Sequence, residues 1–187
     1  GQCAGTLPVE QVRSFCAQEA EAVAHLHKSL VCHRDLKPTN FIVGNDGCTL
    51  RLADVGLAQT LVGPTHRLLA RCGSLPFVAP EVLRQPEEGY DGLAADVWSL
   101  AGNFVELCCG YYSINRFLGW VPGAPSDVDQ QIADAERVEE VWATVGSLAA
   151  PELHGIAACM FAMRPERRWG MEEVIGPNGL ALRGERA

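Results

Sequence analysis

Eight consecutive residues concentrate the chain's most chemically capable side chains: His33-Arg34-Asp35-Leu36-Lys37-Pro38-Thr39-Asn40. A carboxylate, an ammonium and a carboxamide at 35, 37 and 40 can draw a proton from a hydroxyl, face developing negative charge and ligate a hard cation. A second carboxylate, Asp54, follows two short apolar runs and is trailed by Gly56, which lets the backbone turn sharply. An isolated Asp-x-Gly is usually only a turn. Here its position after a hairpin gives it meaning. The 33–40 run is too polar for a core strand and is broken by Pro38.

The surrounding elements must hold these groups in place. Val12, Phe15, Val23, Leu26 and Leu30 recur at helical spacing, with Cys16 and Ala22 flanking the stripe. Thr6 and Pro8 are suitable starting residues, so an amphipathic helix is expected over 8–29. Phe41-Ile42-Val43 and Thr49-Leu50-Arg51-Leu52 read as strands, joined by Gly44-Asn45-Asp46-Gly47, whose residue types tolerate positive φ. A long irregular stretch, 54–81, follows; loops of that length usually carry function or are disordered. Buried helix is expected over 93–109, ending near Gly110. Pro122, Gly123 and Pro125 mark a loop, and further helices are expected over 132–145, 153–163 and 171–175. The last stops at Gly176-Pro177-Asn178-Gly179, before a polar tail.

In this setting the 33–40 run resembles the catalytic loop of eukaryotic-type serine/threonine protein kinases. Asp54-Val55-Gly56 resembles the family's metal-binding D-F-G, and Cys72-Gly73-Ser74 through Ala79-Pro80-Glu81 its substrate-docking segment. Asp96-Val97-Trp98-Ser99-Leu100 resembles the start of its central helix, and Arg164-Pro165-Glu166-Arg167-Arg168 the segment that pairs with Glu81. The motifs keep the family's order over about residues 6–175. The resemblance implies a mainly α fold with a small β-hairpin, the C-terminal lobe of the protein-kinase-like α+β fold. That lobe would span 1–175 as a partial domain, with a tail over 176–187. It implies transfer of the ATP γ-phosphate to Ser or Thr hydroxyls of protein substrates. Asp35 would orient the acceptor, Lys37 steady the phosphoryl group, and Asn40 and Asp54 ligate Mg2+; Ile42 would belong to the adenine floor. Glu81 and Arg168 would form a structural ion pair, Asp96 would fix the catalytic loop through its backbone, and Ser74 would bond near Asp35 and Lys37. Lys37-Pro38-Thr39 favours Ser/Thr over Tyr specificity.

The departures are equally specific. Nothing resembles the Gly-rich loop, strand lysine or helix glutamate of the N-terminal lobe, which is expected from a parent chain; alone, 1–187 is expected to be inactive and to expose Ile42 and the face beside Val55. Val55 replaces a phenylalanine that packs on the catalytic-loop histidine, so less contact with His33 is expected. Ala70 stands where relatives carry a phosphorylated threonine, leaving Arg34 with either a constitutively ordered segment or a switch at Thr65; Thr60 is the other upstream hydroxyl. Thr39 stands where kinases of basic peptides have Glu, whereas Glu106 matches their second acidic position, so peptide preference stays open. The alternative reading is a catalytically inactive pseudokinase or a protein-docking module.

Composition removes other classes. A net charge of -8 without a run of like charges argues against nucleic-acid or anionic-membrane binding. The eight cysteines are scattered without C-x-x-C or Cys/His ligand spacing, which disfavours a disulfide framework or zinc and favours a reduced, intracellular and cytoplasmic chain. His25 and His27 splay apart on a helix and read as bland residues at its end. No run of 18 apolar residues is present to span a membrane.

Overall fold

The computed structural model of the chain describes residues 7–120, 123–138 and 151–180. Thr6, Pro122 and positions 139–145 of an expected helix lie outside them. Helix α1, Val9–Lys28, follows Pro8, whose extended backbone (φ -55°, ψ 143°) turns the chain into the helix. Its apolar stripe is buried at Val12, Phe15, Cys16, Ala20, Val23 and Ala24. After α1, Leu30 takes a positive φ of 54° and reverses the chain into strand β1, Val31–Cys32.

Helix α3, Gly92–Cys109, forms the centre of the core. Asp91 caps it, its side chain accepting from the amides of Leu93 and Ala94 at 3.0 and 3.1 Å, a cap worth about 1 kcal/mol. Trp98, Leu100, Ala101, Phe104 and Val105 are all buried, and Trp98 meets Phe161 edge-on at 5.0 Å between ring centres. Gly102 admits the Phe77 ring; a Cβ there would lie 2.9 Å from it.

Among the described residues there are three antiparallel ladders, each of two strands. The expected hairpin pairs β2, Phe41–Val43, with β3, Leu50–Leu52, in the register Phe41↔Leu52 and Val43↔Leu50. Gln18 of α1 docks it, donating to the Cys48 carbonyl at 2.9 Å and accepting from Leu50 N at 2.8 Å. The stretch 54–81 is less irregular than its composition suggests. Strand β4, Gln59–Thr60, pairs with β1, and β5, Arg67–Leu68, pairs with β6, Tyr90–Asp91. Two-residue strands are too short to show alternation in sequence. Helices α2, Pro80–Arg84, and α4, Ser113–Leu118, were likewise not expected. Helix α5, Val128–Glu136, starts earlier than read because Asp127 caps it, accepting from Gln130 N at 2.8 Å. Helices α6, Pro151–Met160, and α7, Met171–Ile175, complete the described residues.

Helices α1 and α3 run antiparallel. His27 meets Asp96 at one end of their seam, and Cys16 and Cys108 interact near the other. This register brings Glu19 and Asn103 level. Both are buried, and Glu19 Oε2 and both side-chain polar atoms of Asn103 have no hydrogen-bond partner among the described residues. Burial pushes the Glu19 carboxyl well above the ordinary carboxylate range. Its contribution to stability is therefore fully present below the unfolded pKa of about 4.3 and is lost as pH rises through the folded value. Glu19→Gln is expected to raise Tm at neutral and higher pH, to change it little near pH 4, and to flatten the pH dependence. A thermal-melt series from pH 4 to 8 checks this; equal slopes for the two proteins contradict it.

Candidate active site

Strand β1 delivers the 33–40 loop onto the N-terminal half of α3, where Asp96 receives it. The carboxylate accepts from His33 N at 2.7 Å and Arg34 N at 2.8 Å, and His27 Nε2 lies 3.1 Å from its Oδ2. Asp96 is only 1% exposed, so these donors are what make a charge tolerable there. They also hold Arg34 at a left-handed φ of 67°, a conformation that a non-glycine residue adopts only when its surroundings impose it. The expected anchoring role of Asp96 is observed. His27, read from sequence as a bland helix-end residue, is a third partner of this carboxylate. Beside it, burial and the neighbouring Asp96 and Asp91 push the Cys32 thiol up to about 12, so it stays neutral.

The loop brings three of the five expected site residues together. Lys37 Nζ donates to Asp35 Oδ2 at 2.7 Å and to Ser74 Oγ at 2.8 Å, as expected of Ser74. Asn40 Nδ2 donates to the Asp35 carbonyl at 2.8 Å and lies 3.4 Å from its Oδ2. The opposite oxygen, Asp35 Oδ1, is buried and has no donor among the described residues. Asp35 is thus held by one oxygen and free at the other. The imidazole of His33 locks the loop to the hairpin. Its Nε2 lies 3.1 Å from the Ala53 carbonyl, which can only accept, so Nε2 carries the proton; Nδ1 then accepts from Asp35 N at 3.3 Å.

Asp54 is set beside Asn40 by the backbone bond from Ala53 N to the Asn40 carbonyl, 2.8 Å. It is exposed, with φ 57°, and its carboxylate accepts from Gly56 N at 3.3 Å. Among the described residues no group of three His, Cys, Asp or Glu side chains could hold a metal by itself. The oxygen donors here are Asn40 and Asp54. That set fits Mg2+, which keeps water and phosphate oxygens in its shell, rather than a metal caged by protein. Strand alternation turns Phe41 inward and leaves Ile42 56% exposed. Val55 is 61% exposed, whereas His33 is fully buried and held by its hydrogen bonds.

At the far end of the 54–81 stretch, Arg168 pairs with Glu81 through both guanidinium ends, Nη1 to Oε1 at 2.6 Å and Nη2 to Oε2 at 3.2 Å. Arg168 also donates to the carbonyls of Ala94 and Ala162 and lies 5.1 Å from the Trp98 ring centre. The expected brace is present and buried. Glu106 is buried too; its Oε1 accepts from Ser113 Oγ and Ile114 N, fixing α4 on α3, and burial raises its carboxyl.

The sequence profile of the protein kinase domain matches residues 2–177. The chain belongs to the protein kinase family. It is 36% identical over 66% of its length to CBL-interacting serine/threonine-protein kinase 24 of Arabidopsis thaliana. It is 31% identical over 91% of its length to CBL-interacting serine/threonine-protein kinase 16 of that plant, and 31% identical over 91% to protein kinase kin1 of Schizosaccharomyces pombe. The matches cover 25%, 35% and 17% of those relatives, so this kinase domain chain spans only about a sixth to a little over a third of their length.

In this kinase the Glu81–Arg168 pair carries a stability cost that its exposed ion pairs do not. Removing one partner leaves a buried charge alone. Arg168→Leu is expected to lower unfolding free energy by about 3–5 kcal/mol, against about 0–1 kcal/mol for Arg84→Ala, whose pair with Glu136 is half-exposed on both sides. Urea unfolding of both variants measures the contrast; similar losses contradict it.

Proposed function

We propose that residues 1–175 are the C-terminal lobe of a serine/threonine protein kinase, with 176–187 a tail, and that the parent protein transfers the ATP γ-phosphate to Ser or Thr hydroxyls of protein substrates. The observation that carries this reading is the divided Asp35 carboxylate. With Oδ2 engaged by Lys37 and near Asn40, the buried Oδ1 is left to accept from a substrate hydroxyl. Lys37, already beside Asp35, would face the charge that develops on the transferred group. Asn40 and Asp54 would hold Mg2+, which supplies neutralising charge to the phosphates when bound, and Ile42 would lie under the adenine. Protein kinases as a family use ATP with Mg2+.

The lobe assignment is supported by the element content: among the described residues, helices surround α3 and each ladder has only two strands. Ile42, Val55 and Leu57 are exposed apolar side chains that an N-terminal lobe would cover. The same surface supports the second reading, a docking module that receives another protein there. No helix among the described residues is long and apolar enough to cross a membrane. Among the described residues the cysteines form no disulfide, in keeping with the proposed reducing, cytoplasmic setting.

Purified 1–187 is expected to show no phosphate transfer, and the same chain joined to the parent's N-terminal half to phosphorylate a Ser/Thr peptide with Mg2+-ATP. Asp35→Asn in the joined protein is expected to lower kcat by about 10²–10⁴-fold with little change in KM for ATP. A joined protein that is inactive, or one whose activity survives Asp35→Asn, overturns the reading.

A further inference from the structure

Position 70 carries no hydroxyl, yet the activation segment around it is held on both sides. Leu68 pairs with Tyr90 in the β5–β6 ladder and is 5% exposed. It packs so closely that a Cβ on Gly92 would lie 2.6 Å from it. Gly89, at φ +79°, lets the opposing strand approach; a Cβ there would lie 2.8 Å from the Leu68 carbonyl. Two residues on, the Tyr90 hydroxyl donates to the Ala70 carbonyl at 2.9 Å, with Cys72 Sγ 4.0 Å away. Tyr90 is 3% exposed, and burial pushes its hydroxyl further above the ordinary phenol range, so it remains a protonated donor at physiological pH.

Arg34, the residue to which an activation-segment phosphate would be brought, is already engaged. Its Nε donates to the Leu57 carbonyl at 2.7 Å, and its guanidinium also hydrogen-bonds the Tyr90 hydroxyl. Ser74 bonds Lys37, and Thr65 is exposed, outside the β5–β6 ladder. Between Ala70 and Ser74 the chain has little freedom. Gly73, at φ +109°, passes so close to the loop that a Cβ would lie 3.0 Å from the Arg34 carbonyl.

We propose that Tyr90 is the positioning residue of the activation segment: its hydroxyl on the Ala70 carbonyl, with the Leu68 anchor, sets the segment for catalysis without a phosphate. Tyr90 touches no reacting atom. It acts through residues 70–74 on Ser74, through Ser74 on Lys37 and Asp35, and through its bond with Arg34 on the start of the same loop. The proposal rests on the kinase reading above for its kinetic consequence, but not for its structural one.

The test uses the intact kinase and Tyr90→Phe, which keeps the ring and removes only the hydroxyl. Phosphatase treatment and Thr65→Ala are each expected to leave activity unchanged. Tyr90→Phe is expected to lower kcat/KM for peptide by roughly 10-fold or more, since its bonds to the Ala70 carbonyl and to the Arg34 guanidinium are both lost, with KM for ATP unchanged. In chain 1–187 the same variant is expected to speed amide exchange at 68–72 while Tm moves little. A structural role alone would lower Tm without confining the faster exchange to that segment. Activity lost on phosphatase treatment or in Thr65→Ala overturns the proposal. So does a Tyr90→Phe protein whose exchange at 68–72 matches wild type. If the intact wild-type protein is inactive, the kinase reading fails, and exchange in 1–187 still decides the role of Tyr90.

Discussion

The arrangement depends first on one buried carboxylate. Asp96 accepts the two successive backbone amides of His33 and Arg34 and is met by the His27 ring, so α1, the catalytic loop and α3 converge on a single side chain. The dependence is mutual. A carboxylate in that position without donors would be strongly disfavoured, and a loop without the carboxylate would have no reason to keep Arg34 at positive φ. Everything downstream inherits this fixed start. Asp35 follows Arg34 directly, and Lys37 and Asn40 are close enough in sequence to reach it once the loop's first turn is set.

A second charged contact fixes the other end of the 54–81 stretch. Glu81–Arg168 is buried against the Ala162 carbonyl and against Trp98 and the Ala94 carbonyl of α3, the helix that carries Asp96. Both contacts lie in a low-dielectric interior, where a satisfied hydrogen bond is strengthened and a missing partner is costly. Because both refer to α3, the start of the catalytic loop and the end of the docking segment are placed against one rigid body. Ser74 can therefore meet Lys37 from a loop more than thirty residues away in sequence.

Most of this was legible in the sequence where a signal extends over many residues or many motifs. The apolar stripe of α1, the density of α3 and the hairpin signature around Gly44–Gly47 each specify an element. The roles of Asp96, Ser74, Glu81 and Arg168 followed from ordered motifs. What escaped is short or long-range. Ladders of two residues per strand have no period to read, and α4 has only six residues. His27 gave no sign of its role because its partner lies 69 positions away. The Tyr90–Ala70 contact was hidden for a sharper reason: a backbone carbonyl is its acceptor, so residue 70 could have any side chain and the sequence would look the same.

The polar and apolar halves of the site also differ in what they require. Asp35, Lys37, Asn40 and Ser74 are positioned entirely by contacts within this chain, and the buried Oδ1 is a consequence of those contacts. Ile42, Val43, Val55 and Leu57 instead present apolar surface to solvent, and nothing described in the chain covers it. On the proposed reading, geometry for phosphoryl transfer and affinity for the nucleotide are thus separable. A covering lobe would contribute mainly by excluding water and burying that surface, about 25 cal/mol for each Å². It need not reorganise the carboxylate, because Asp96, His33 and Asn40 already hold the loop that bears it.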